Sequence, residues 1–130
     1  RGRLLKGYLL GGRGQVEGAT AECTKALDID PVFAQAYLLR GMLLEQQGDW
    51  ENAIGEVKKA LYLDSSLPLA HFTMAKLRRS AGDREGAVRE FASTIRVLRD
   101  HPEIAVAADI PVEFDHQVLR QLAESYLKKL

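Results

Sequence analysis

The sequence predicts an all-α protein built from repeated pairs of helices, and three observations support this fold class. Gly14, Gly48 and Gly82 are evenly spaced along the chain. Apolar residues between these glycines return at three- and four-residue steps, as on amphipathic helices. Four further columns keep the spacing of the glycines: Ala19, Ala53 and Ala87; Cys23, Val57 and Phe91; Leu27, Leu61 and Ile95; and Gly7, Gly41 and Ala75. A helical period of about 34 residues indicates stacked helix pairs.

The middle unit shows how one pair is formed. The segment from Ala34 to Gln47 is rich in Ala, Leu, Gln and Met, which are good helix formers. Gly48 tolerates positive φ and can end this helix. Asp49 can cap the next helix by accepting a hydrogen bond from a free backbone amide. The pair Gly48-Asp49 therefore predicts a joint between two helices.

The period also predicts how the chain is divided. We expect three units at residues 1–31, 32–65 and 66–98, a connecting loop at 99–114 and a terminal helix at 115–130. No new joint appears at His116, one period beyond Gly82. Asp115 is expected to cap the terminal helix, which would close the array with a polar outer side, as repeat proteins require.

The apolar face of this terminal helix is expected to pack on the last unit. Its residues recur at helical spacing: Val118, Leu119, Leu122, Ala123, Tyr126 and Leu127.

Composition limits the classes of partner and compartment. The 130 residues include 18 basic and 18 acidic side chains, so a nucleic acid or an anionic membrane surface is not an expected partner. The apolar runs are too short for membrane insertion. Cys23 is the only cysteine, which favours a reducing, cytoplasmic location. The first residue is Arg1, which suggests a fragment of a longer protein.

No catalytic, cofactor or metal site is predicted. His71, His101 and His116 do not share metal-ligand spacing with each other or with a cysteine. Cys23 lies in a column otherwise filled by core residues. The glycines at 11–14 follow a predicted helix and lack the Lys-Ser/Thr pair of a phosphate loop. We therefore expect that this chain is not itself an enzyme.

The period, the small-residue column and the glycine joint resemble tetratricopeptide repeats (TPRs) over about residues 3–98. The pattern departs from the family early in the first helix, where an aromatic residue is expected: Tyr37 fits, but Arg3 and His71 do not. The resemblance implies a right-handed superhelical solenoid whose first helices line a concave groove.

The resemblance also implies which residues face a protein partner in that groove. They are Tyr8, Gln35, Leu38, Met42, Glu45, Leu69, Phe72, Lys76 and Arg79. We call this set the first-helix stripe. Its basic end, Lys76 and Arg79, suits a segment with hydrophobic anchors and an acidic group. Alternatively, Tyr8, Leu38 and Phe72 pack against neighbouring helices or the terminal helix.

The co-chaperone members of the family hold a C-terminal carboxylate with Lys and Asn side chains. Leu4, Tyr8 and Leu38-Leu39 occupy the corresponding places here. A chaperone-tail adaptor with that clamp is therefore not expected.

Two stretches, residues 58–91 and 109–126, resemble the repeat region C-terminal to bacterial chemotaxis-receptor (CheR-type) methyltransferases. Ser65-Ser66 replaces the proline-containing turn usual there. The resemblance implies a regulatory module beside an S-adenosylmethionine-dependent domain, with that domain or a chemoreceptor as partner. The chain itself has neither the alternating strands nor the glycine-rich turn of a nucleotide-binding fold.

The main hypothesis is therefore a non-catalytic interaction and regulatory module of a bacterial signalling methyltransferase, binding a protein segment or a neighbouring domain. The alternative is a freestanding adaptor, or a structural scaffold that self-associates through exposed repeat ends. The apolar residues at the start of the chain favour self-association: Leu4, Leu5, Leu9 and Leu10.

Overall fold

A computed structural model describes residues 16–100 and 116–129 of the chain. These residues form six helices and contain no strand, as the all-α prediction requires. The helices are α1 (Val16–Ile29), α2 (Ala34–Gln46), α3 (Trp50–Leu63), α4 (Pro68–Ser80), α5 (Arg84–Asp100) and α6 (His116–Lys129). None of these described helices is long and apolar enough to cross a membrane.

The chain divides into two compact units, Arg1–Ser65 and Ser66–Leu130. In the first unit, α2 packs against both α1 and α3. One apolar cluster fills the space between α1 and α2, with Phe33 and Tyr37 partly buried at its side. Its buried members are Ala19, Cys23, Ala26, Leu27, Ala36, Leu39 and Leu43.

The small-residue column allows α2 and α3 to approach closely. A Cβ atom at Gly41 would lie 2.6 Å from Cγ2 of Val57 and 3.2 Å from the carbonyl oxygen of Ala53. A larger side chain at residue 41 would therefore have to displace α3. Glycine at residue 41 lets the backbone of α2 contact Val57 directly, and Val57 is completely buried.

In the second unit, α5 packs against α4 and α6 around three aromatic rings. The rings of Phe91 and Tyr126 are stacked with centroids 4.9 Å apart. Phe72 meets each of them edge-to-face at 5.8 Å. Aromatic pairs favour both arrangements, so this cluster joins one residue from each of the three helices.

The predicted joints at Gly48 and Gly82 have the same geometry, and the corresponding Gly14 lies outside the described residues. Gly48 and Gly82 adopt φ of 80° and 84°. The amides of each glycine and of the following aspartate donate to carbonyls of the preceding turn at 2.8–3.1 Å, which is the Schellman motif. Asp49 and Asp83 each accept from the amide three residues later, at 3.4 and 2.9 Å. Both joints confirm the sequence interpretation.

The apolar face of α6 differs from the expected one in the exposure of its side chains. Val118 and Leu122 of α6 are 38% and 42% exposed, while Leu119 and Ala123 are buried. The buried stripe of α6 is thus narrower than predicted, because this helix rests mainly on α5. Val88 of α5 is also 38% exposed.

The division of the chain into repeat units stays a prediction. Helix α5 runs to Asp100, and so enters the start of the expected connection at 99–114. The remainder of that connection and Asp115 lie outside the described residues. Helix α6 begins at His116, within the predicted terminal helix.

Candidate protein-binding surface

The first-helix stripe is only partly accessible in the first unit. Gln35, Met42 and Glu45 of α2 are half-buried, while Leu38 is 1% exposed. Tyr8 lies outside the described residues. A partner reaching this part of the stripe would therefore contact mixed polar and apolar side chains rather than Leu38.

In the second unit, the stripe changes from buried to exposed along α4. Leu69 and Phe72 are 3% and 4% exposed, Lys76 is half-buried and Arg79 is exposed. Phe72 makes the packing contacts with α5 and α6 that the alternative interpretation expected. Its assignment to a binding surface stays a prediction, as does that of the rest of the stripe.

Two rings of the aromatic cluster contact the two cations of the first-helix stripe. Nζ of Lys76 lies 5.2 Å from the ring centroid of Phe72. Cζ of Arg79 lies 5.3 Å from the ring centroid of Tyr126. These are cation–π distances, so the buried ring of Phe72 and the half-buried ring of Tyr126 hold both basic groups at the surface of the second unit.

Arg79 also lines a cleft of about 300 Å³ together with Gly82, Arg84 and Lys129. We call it the basic cleft. Its three cations come from the end of α4, the start of α5 and the end of α6. None of the three has a carboxylate within ion-pair distance in the described part of the chain. Converging like charges raise the electrostatic free energy of the cleft, which an anionic ligand would lower.

Sequence reasoning identified Arg79 but missed Arg84 and Lys129. Arg84 follows the joint at Gly82-Asp83 directly, so its position beside the end of α4 could have been inferred from the turn. The place of Lys129 in the cleft could not be inferred in this way, because it depends on how α6 packs on α5.

Sequence reasoning also missed a column of glutamates at the repeat spacing, Glu22, Glu56 and Glu90. Oε1 of Glu56 accepts from Nη2 of Arg40 at 3.4 Å and from Nζ of Lys59 at 3.3 Å. Its Oε2 is buried and has no hydrogen-bond partner within the described residues. Glu56 therefore links α2 to α3 through a carboxylate that is incompletely satisfied.

The corresponding Glu90 links α5 to α4. Its Oε1 lies 2.7 Å from Nδ1 of His71. His71 is 9% exposed, and this partner gives it a structural role between two helices. Among the described residues, no group of three His, Cys, Asp or Glu side chains could hold a metal ion.

Cys23 is a core residue of the first unit, 1% exposed. Burial raises the pKa of its thiol to about 12, although the nearby Arg40 guanidinium acts in the opposite direction. The thiol is therefore protonated at neutral pH, and only a thiolate would be an effective nucleophile.

Residues 34–67, which include α2 and α3, match a family model described as a tetratricopeptide repeat. No curated protein matches the chain in sequence. Solved structures, however, match it over nearly its whole length. The fold is that of TPR-like helical proteins. This confirms the all-α class and the repeat resemblance.

Two of the similar structures are bacterial chaperones bound to protein segments. PcrH of Pseudomonas aeruginosa, in complex with the chaperone-binding region of PopD, is 20% identical, with 95% of this chain and 84% of that chain covered and a TM-score of 0.77. SycD, a type III secretion chaperone of Yersinia enterocolitica, was solved with a peptide of the translocator YopD. It is 16% identical, with 97% and 88% covered and a TM-score of 0.78.

A third similar structure is the first TPR of Spaghetti (RPAP3) bound to the HSP90 peptide SRMEEVD. It is 15% identical, with 97% of this chain and 90% of that chain covered and a TM-score of 0.70. At such identities the likeness establishes the fold. None of these three structures is described as part of a methyltransferase.

Proposed function

We propose that the chain is a non-catalytic adaptor that binds a segment of a partner protein, and that the basic cleft receives an acidic group of this segment. The observation that carries the proposal is the convergence of Arg79, Arg84 and Lys129 without a described counter-ion. Two guanidinium groups suit a carboxylate well, because each can donate two parallel hydrogen bonds to it.

Two cations of α4 would attract the acidic group of the segment. Lys76 and Arg79 lie three residues apart on this helix and contact aromatic rings, so Lys76 would add to the attraction that the cleft exerts on an acidic group. Charges at the edge of an interface increase the association rate and select the partner more than they increase affinity. The apolar anchors of the segment must then supply much of the affinity.

The similar structures support this proposal over a methyltransferase parent. PcrH, SycD and Spaghetti were each solved with a protein segment bound, which favours the freestanding-adaptor alternative. A regulatory role beside a methyltransferase, self-association through repeat ends and a cytoplasmic location all stay predictions.

The test measures binding of a fluorescent peptide to the full chain. The peptide has a leucine followed by two glutamates and a free C-terminal carboxylate, and a second peptide replaces the glutamates with lysines. Arg79→Glu and Arg84→Glu should each weaken binding of the acidic peptide about tenfold at low salt. Arg89→Glu is the matched control, because Arg89 is an exposed cation of α5 that does not line the cleft.

Added salt should weaken binding of the acidic peptide as well, because the cleft is open to solvent. The proposal is wrong if the lysine peptide binds equally well, or if Arg89→Glu weakens binding as much as the two cleft variants. Equal binding of the lysine peptide would show that charge does not govern binding. An equal effect of Arg89→Glu would show that the general charge of the chain, rather than the cleft, governs it.

A further inference from the structure

A pocket of about 450 Å³ opens on the first unit. We call it the tyrosine pocket. Its lining residues, none of which belongs to the first-helix stripe, are Pro31, Tyr37, Lys58, Lys59, Tyr62 and Leu63. They come from the turn before α2, the first turn of α2 and the last two turns of α3. The volume is in the range that proteins use to enclose a ligand group.

Exposed apolar side chains line this pocket or flank one of its lining residues in the sequence. Tyr62 is 90% exposed and Leu63 is 37% exposed. Ile29 and Val32, which flank Pro31 closely in the sequence, are 74% and 67% exposed. Single exposed apolar side chains are ordinary, but several around one cavity mark an interaction site. The extent of this surface suits a chain segment better than a small molecule.

One wall of the pocket is fixed before any ligand arrives. The hydroxyl of Tyr37 donates to the carbonyl oxygen of Pro31 at 3.0 Å. Nζ of Lys59 and Cζ of Arg40 lie 5.7 and 5.9 Å from the centroid of the Tyr37 ring, and both cations also bind Glu56. A ring held by these contacts loses little further freedom on binding, which lowers the cost of association.

The charge of the pocket selects among possible occupants. None of the described acidic residues lines it, while two lysines do. Lys59 is engaged by Glu56, but exposed Lys58 has no ion pair in the described part of the chain. Tyrosine rings can attract cations, yet Lys58 would repel a cationic group here. An aromatic side chain beside a carboxylate fits both the rings and this ammonium group.

We propose that the tyrosine pocket binds an aromatic side chain of a protein segment, with Lys58 pairing with a carboxylate next to it on that segment. The aromatic side chain packs against Tyr37 and Tyr62, where offset or edge-to-face contacts are favourable. This site goes beyond the proposed function and uses none of the residues of the basic cleft.

The experiment titrates the full chain, labelled with ¹⁵N, with three acetylated and amidated tripeptides: Glu-Phe-Glu, Glu-Ala-Glu and Lys-Phe-Lys. Glu-Phe-Glu should bind about tenfold more tightly than either control, with shifts at the amides around Tyr37 and Tyr62. Tyr62→Ala should weaken its binding about tenfold and Lys58→Glu about fivefold. Both residues are exposed, so neither substitution should disturb folding.

Two controls separate this proposal from the proposed function. Trp50→Ala removes an exposed aromatic side chain of the same unit that does not line the pocket, and it should leave binding unchanged. The double variant Arg79→Glu with Arg84→Glu should also leave it unchanged. If that double variant abolishes Glu-Phe-Glu binding and Tyr62→Ala does not, the peptide binds the basic cleft and the tyrosine-pocket proposal is overturned. It is equally overturned if Glu-Ala-Glu binds as tightly as Glu-Phe-Glu.

Discussion

The helix pairs α2–α3 and α4–α5 share one joint but fill the space between their helices differently. In the first pair, Gly41 allows close contact with Val57. In the second pair, the same columns hold Ala75 and Phe91, both fully buried, and Phe91 stacks on α6. The joint is a local property of backbone conformation, whereas the packing between the helices depends on which helix of the pair also holds a third helix: α2 packs on α1 in the first unit, and α5 packs on α6 in the second.

The glutamate column shows the same contrast. Glu56 is shared between Arg40 and Lys59 and leaves one oxygen without a hydrogen bond in the described structure. The Glu90 carboxylate makes a close contact with Nδ1 of His71. Two pairs of similar sequence pattern therefore have different weak points: a polar one in α2–α3 and an aromatic one in α4–α5.

The largest effect is expected at Phe91. Phe91→Ala should lower the free energy of unfolding by about 4 kcal/mol, because it removes a fully buried ring and leaves a cavity. Val57→Ala, in the same column of the other pair, should cost about 2 kcal/mol, since fewer carbon atoms are lost. Urea unfolding followed by circular dichroism measures both values.

Val88→Ala controls for loss of side-chain volume on α5, because Val88 is 38% exposed whereas Phe91 is fully buried. It should cost less than about 0.5 kcal/mol. Equal losses for Phe91→Ala and Val57→Ala would contradict the view that the aromatic cluster makes the second pair more sensitive.

The next effect is expected in the polar link of the first pair. Arg40→Met should lower the free energy of unfolding by about 2 kcal/mol, because Lys59 would be the one partner left to the buried Glu56 carboxylate among the described residues. Methionine suits this helix position, since Met74 stands at the equivalent place one period later. Adding Glu56→Gln should restore about half of the lost stability by removing the buried charge. Thermal and urea unfolding of the single and double variants measure this recovery.

Lys59→Met is the matched control for Arg40→Met, because it removes the other cation that binds the same oxygen. The Lys59 side chain is 58% exposed, against 30% for Arg40, so this change should cost less than about 1 kcal/mol. If Lys59→Met lowered the stability more than Arg40→Met, the Glu56 carboxylate would depend mainly on Lys59, and the role given to Arg40 would be wrong.

The sequence predicted those parts of the fold whose causes are local. Gly48 and Asp49 each have a chemical reason to end or begin a helix, and both joints were identified from them. The basic cleft could not be predicted fully, because Arg79 and Lys129 meet only through the packing of α6 after the period has ended. The tyrosine pocket was missed because Tyr62 and Pro31 belong to no repeated column. Burial of Phe72 also depended on Tyr126, which is distant in the sequence and belongs to the helix that follows the repeats.

A smaller effect is expected where α2 and α3 approach most closely. Gly41→Ala adds a Cβ atom 2.6 Å from Cγ2 of Val57, and overpacking should outweigh the gain in helix propensity, leaving a net loss of about 1.5 kcal/mol. Combined with Val57→Ala, which removes the clashing methyl group, the loss should be smaller than the sum of the two single changes. Urea unfolding of the double-mutant cycle measures this coupling. A stabilising Gly41→Ala would refute the close approach.

The smallest effect concerns the feature that the two pairs share. Gly48→Ala and Gly82→Ala should each cost about 1 kcal/mol, because alanine is strained at φ of 80° and 84°. At both positions an added Cβ meets no described atom within 4 Å. Each loss of stability therefore measures backbone conformation alone, and the two losses should agree to about 0.3 kcal/mol.

Gly55→Ala in the interior of α3 is the matched control. An added Cβ there is equally unobstructed by described atoms, and the change should stabilise by about 0.8 kcal/mol. Unequal losses at Gly48 and Gly82 would mean that tertiary packing, rather than backbone conformation, determines the joint.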